Sequence, residues 1–82
     1  MALEVILKIP LIKIRRGVTE SRLIKLYGER LCVLYSDKTG MYKQGNEWTG
    51  SVTDAEILTF EEWYDKTKNQ RKDGLIYFIV KI

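Results

Sequence analysis

Val5, Leu7, Ile9 and Leu11 alternate with Glu4, Ile6, Lys8 and Pro10. That period of two predicts a strand within residues 3–14. A helix there would hold Pro10 in its interior, where the ring clashes with the preceding turn. Proline also removes a ladder donor, so the strand is expected at a sheet edge or with a bend at residue 10. Residues 75–82, LIYFIVKI, are apolar on both alternating faces, as expected of an interior strand.

The middle of the chain reads as three more strands, LCVLYS (31–36), MYKQ (41–44) and EWTGSV (47–52). Asp37-Lys38-Thr39-Gly40 fits a type I turn whose fourth residue is left-handed. Gly45-Asn46 fits a two-residue hairpin turn, both residues tolerating positive φ. These turns set Tyr35 opposite Lys43 and Lys43 opposite Trp48. One face then carries Leu31, Val33, Tyr35, Met41, Lys43, Trp48 and Val52. The other carries Cys32, Leu34, Tyr42, Gln44, Glu47, Thr49 and Ser51. The first face is apolar apart from Lys43, which fits a half-buried antiparallel sheet.

Two segments have helical periodicity. In TFEEWYDKTKNQRK (59–72), Thr59 and Glu62 form a capping box, and Glu61 and Glu62 favour the positive end of the helix dipole. Phe60, Trp63, Tyr64 and Thr67 fall on one stripe, and Glu62–Lys66 has the spacing of an ion pair. Thr53-x-x-Glu56 is a second capping box, but residues 54–58 read better as strand or loop. VTESRLIKLYG (18–28) reads as a helix with Thr19 as N-cap, Val18 stapled onto Leu23, and Gly28 as C-cap. Its alternative is a strand over 22–27. Asp73-Gly74 is expected to turn the chain into its last strand. The fold class is therefore α+β, one domain over residues 1–82. A mostly antiparallel sheet of about five strands packs against one or two helices. A small β-barrel is the rival if 22–27 is a strand.

Charge adds a second pattern. The net charge of +3 hides a basic segment over 1–34, an acidic one over 35–64 and a basic one over 65–82. The single cysteine, Cys32, can form no internal disulfide, which fits a reducing compartment. The N-terminal run MALEVILKIPLIKIRR is not patterned as a signal peptide and is too broken by Lys8, Pro10 and Lys13 to span a bilayer. Pro10 also argues against an amphipathic membrane-surface helix. A soluble, cytoplasmic protein without a membrane partner is expected.

Candidate chemistry is sparse. There is no histidine, which removes the Ser-His-Asp and Cys-His arrangements and most zinc sites. Gly40 and Gly45 have the spacing of a phosphate loop, but Asn46-Glu47 stands where that loop needs Lys and Ser/Thr, so turns are expected. No calcium-loop spacing is present. Cys32 reads as a structural thiol. Glu61 and Asp65 share a helix face, yet acids at a helix start are ordinarily there for the dipole. No catalytic residue, cofactor or metal is expected. Trp48, Tyr35, Phe60, Trp63 and Tyr64 are assigned to the core, while Tyr42 falls on the polar sheet face as a candidate anchor for a partner.

What remains is binding. Elimination of catalysis, with a foldable core and segregated charge, points to a non-enzymatic protein-binding module. The kind is a small accessory or inhibitory protein, as phages and mobile elements carry, acting on a larger partner. Asp54, Glu56, Glu61, Glu62, Asp65 and Tyr42 are its candidate partner-binding residues, with the acids suited to a basic, nucleic-acid-binding protein. The alternative is a nucleic-acid-binding module using Lys13, Arg15, Arg16, Arg71 and Lys72, provided the fold brings the 13–16 and 66–72 clusters together.

Overall fold

The computed structural model describes residues 3–70 and 74–82. The chain forms β1 (Glu4–Pro10), α1 (Val18–Tyr27), β2 (Leu31–Ser36), β3 (Met41–Gln44), β4 (Glu47–Thr49), β5 (Leu58–Thr59), α2 (Phe60–Thr67) and β6 (Leu75–Lys81), with short 3-10 turns at Leu11–Lys13 and Val52–Asp54. The strands make one open antiparallel sheet in the order β1-β6-β2-β3-β4, and β5 pairs with the start of β2. The α+β expectation holds, and the sheet does not close into a barrel.

Pro10 ends β1, which is an edge strand, so the missing N–H costs no central ladder bond. The register of β1 on β6 slips between Val5 and Leu7, leaving Ile6 as a bulge. β6 lies between β1 and β2, as its two apolar faces require. Leu75, Tyr77 and Ile79 join Cys32, Leu34, Phe60, Trp63 and Tyr64 in the core beneath the helices. Phe78 and Val80 join Val33 and Ala55 on the second face, which the segment after β4 covers with Ala55 and Ile57.

The β2–β3 turn departs from the expected register. Tyr35 pairs with Tyr42 and Ser36 with Met41, closing a four-residue loop over 37–40 in which Gly40 N donates to Ser36 O at 2.8 Å. A slip of one residue sends every side chain of the following hairpin to the other face. The packing explains the choice. Tyr42 gains Tyr35 and Phe78 as ring neighbours, at 5.0 and 5.9 Å between centroids. Lys43, which the expected register would have put on the apolar face, instead stands over the Trp48 ring at 5.0 Å. Trp48 itself is consequently 38% exposed rather than core. The next turn follows expectation, with Lys43 opposite Trp48, although only Gly45 of its two residues has positive φ.

Segment 18–28 is a helix with Gly28 as its C-cap, as expected, but its start differs from the sequence reading. Gly17 occupies the N-cap, and Val18 is 79% exposed, so neither the Thr19 cap nor the staple to Leu23 forms. Gly28 keeps right-handed φ and ψ of −53 and −37°. Close approach demands glycine there, since a Cβ would stand 2.4 Å from Ile24 O. In α2 the capping box forms as expected, with Thr59 Oγ1 accepting from Glu62 N and Glu62 Oε1 accepting from Thr59 N, each at 3.2 Å. Because that carboxylate is turned to Thr59, the ion pair found on this helix is Asp65–Lys68 at 3.2 Å rather than Glu62–Lys66. Lys66 lies over the Trp63 ring at 5.9 Å.

Candidate functional site

α1 and α2 lie side by side and run in opposite directions. At one end, Glu61 N donates to Gly28 O at 3.1 Å, joining the start of α2 to the end of α1. At the other, Arg16 Nη2 donates to Asn69 Oδ1 at 3.2 Å, joining the approach to α1 to the end of α2. Between them the Tyr64 hydroxyl donates to Glu20 Oε2. The helix layer therefore has two chemically distinct ends, set by sequence. Glu29, Glu61 and Glu62 stand at one end together with Lys25 and Arg30; Lys13, Arg15, Arg16 and Lys68 gather towards the other.

The acidic end is less available than its residue count implies. Glu61, Glu62 and Asp65 are all exposed. Glu62, however, is held by Thr59, and Asp65 is paired with Lys68. Asp54 and Glu56 do not extend the cluster, because their segment lies over the second sheet face and the chain reaches the helix side only at Leu58. Glu56 is moreover occupied, accepting from Gly45 N at 3.2 Å. That bond also bears on the glycine-rich stretch: its turn amide is satisfied by a carboxylate of the chain itself. A groove of about 550 Å³ lies beside Glu61, where Lys25, Glu29 and Arg30 mix both signs of charge.

Tyr42 is half-buried in the second-face aromatic cluster with Tyr35 and Phe78, not alone on a polar face. Cys32 is wholly buried, and burial pushes its thiol up from 9.0 to about 12, far from a nucleophile's range. Burial raises the Tyr64 phenol from 10.0 to about 12, with the Glu20 carboxylate adding to the effect, and raises Tyr77 likewise to about 12. These groups are held neutral inside the core. Trp63 donates to Cys32 O at 3.0 Å, and Thr67 donates to Trp63 O at 2.6 Å while bonding the Tyr77 hydroxyl. Among the described residues no buried side-chain polar atom lacks a partner.

The basic residues fare differently. The fold brings Lys13, Arg15 and Arg16 to the same end as Lys68 and Asn69. Arg71 and Lys72, also candidates, lie outside the described residues. Sequence reasoning missed Ile12 and Val18, which stand on this basic connection and are 78 and 79% exposed. The signal was Pro10: once β1 stops there, Leu11–Lys13 turns and Ile12 leaves the strand's alternation. No helix of the described residues is long and apolar enough to cross a membrane. No protein-family model, curated protein or solved structure matches this chain, so its function has to be read from these residues alone.

Proposed function

We propose that the chain is a non-enzymatic protein-binding module, a small accessory or inhibitory protein that acts on a larger partner in the cytoplasm. The observation that carries this reading is the gathering of Lys13, Arg15 and Arg16 at one end of the antiparallel helix pair, while the other end mixes both signs of charge. A concentrated charge at one end orients a small protein as it approaches a partner and raises the association rate, an effect that falls with salt. A chain without histidine, whose one thiol is buried and held neutral, fits binding better than catalysis. The test is capture with the tagged protein from its native host, then association rates of two variants with the captured partner. Lys13→Glu with Arg15→Glu reverses the basic end, and Glu29→Lys with Glu61→Lys reverses the acids of the other end. Glu62 is left intact because it caps α2. One pair should slow association at least tenfold at low salt; unchanged rates for both would refute electrostatic recognition.

A second reading is favoured by one bond at the basic end. Arg16–Asn69 joins the first basic cluster to the end of α2, which a nucleic-acid-binding surface would need. Its mark would be affinity for a generic duplex that falls with salt, the slope flattening by roughly 0.9 for each phosphate that the protein no longer neutralises. Neutralising Lys13, Arg15 and Arg16 without any change in that slope would reject it.

A further inference from the structure

The connection between β1 and α1 carries two large aliphatic side chains that the core does not use. Ile12 and Val18, 78 and 79% exposed, are the most exposed large hydrophobic residues among those described. The connection is nevertheless fixed in place. Leu11 and Ile14 pack against the helix-side core, Ile14 N donates to Leu11 O at 3.0 Å, and Arg16 is tied to Asn69. Lys13, Arg15 and Arg16 are exposed beside the two aliphatics, and residues 11–19 contain no acid. Ile12 and Val18 are six residues apart, so at most ~20 Å separates them. Both fit within one footprint of ~800 Å² on a partner.

Resting on the protein-binding reading above, we propose that this tip is the docking surface. Its occupant is a protein surface with apolar pockets for Ile12 and Val18 inside a rim of carboxylates that meets Lys13, Arg15 and Arg16. Desolvated apolar anchors within a polar, charged rim are the ordinary anatomy of a specific interface. A nucleic-acid backbone would reward the three cations but give nothing to two exposed aliphatics. A bilayer would take both side chains, but two short aliphatics and three cations make only a shallow, reversible attachment. The internal fastening of the tip also favours a shaped partner, because little ordering is left to do on binding.

Photo-crosslinking distinguishes these outcomes. Benzoylphenylalanine replaces Ile12 in one full-length variant, Val18 in a second and Glu61 in a third, each expressed and irradiated in the native host. Positions 12 and 18 should give a discrete adduct destroyed by protease and resistant to nuclease and lipid extraction. Adding Lys13→Glu and Arg15→Glu, which leave the Arg16–Asn69 bond in place, should lower its yield at least tenfold. A protein adduct at 61 but not at 12 or 18 would overturn the tip and leave the protein-binding reading standing. Adducts at 12 and 18 that survive the charge reversals would remove the acidic rim. Nuclease-sensitive or lipid-extractable adducts, or none from any position, would overturn the tip and the protein-binding reading together.

Discussion

Raising the pH should unfold this protein earlier than its secondary structure would imply. Cys32, Tyr64 and Tyr77 are acids that burial keeps neutral in the folded state, with the thiol raised from 9.0 and the phenols from 10.0, all to about 12. Below pH 9 folded and unfolded chains hold the same three protons, and no stability is lost. Above it the unfolded chain releases its thiol proton first and its phenol protons from 10 upward, while the folded chain retains them. Stability therefore falls with rising pH until the folded groups also ionise near 12. By pH 11 the thiol has spent about two pH units in that gap and each phenol about one. At about 1.4 kcal/mol per unit the loss is about 5 kcal/mol. A chain of 82 residues has about 4–12 kcal/mol in all. Urea unfolding followed by far-ultraviolet circular dichroism at pH 8, 9, 10 and 11, under reducing conditions, measures the decline. Cys32→Ala isolates the thiol. That variant starts lower, but between pH 9 and 10 it should lose less than half as much stability as the wild type, whose loss there belongs mostly to Cys32. Equal slopes for the two proteins over that interval would refute the reasoning.

Other perturbations have simpler origins. Gly45→Ala should cost about 1 kcal/mol in urea unfolding, because its φ of 58° is left-handed even though no atom blocks a Cβ there. Thr59→Ala removes the acceptor for Glu62 N and should cost about 1 kcal/mol, with hydrogen exchange accelerating first at the start of α2. Trp63→Phe takes the indole donor from Cys32 O at a buried site and should cost about 2 kcal/mol, seen as a lower thermal midpoint.

The parts of this fold legible in the sequence are those where one local cause decides. Pro10 marked an edge strand, the apolar run of 75–82 marked an interior one, and Thr59 with Glu62 marked the start of α2. The misread parts turned on distant partners. The 37–40 loop could close with three or four residues on local grounds, and the packing of Tyr42 edge-on to Phe78 and tilted against Tyr35 selects the latter. With that choice Trp48 moved outward and Tyr42 inward. At α1, Thr19 had the chemistry of a cap, but the turn at Gly17 starts the helix before it. For the candidate site, the basic clusters could be seen in the chain, but their approach rests on a bond spanning 53 residues. The acidic cluster looked stronger in sequence because Asp65 and Glu56 had no visible partner there, and Lys68 and the Gly45 amide claim them.

The position of β6 has a consequence for synthesis. The strand that joins β1 to β2 comes after every other element of the sheet in chain order. While the ribosome has released residues up to the end of α2, β1 has no neighbour and β2 lacks one side of its ladder. The core under the helices then lacks Tyr77 and Ile79, which are wholly buried once β6 is in place. The nascent chain must therefore hold its apolar strands open until residues 75–81 emerge, and folding is expected to be a single late event. Ribosome pausing before that point would leave exposed β1 and β2 edges as substrates for chaperones and for pairing with neighbouring chains.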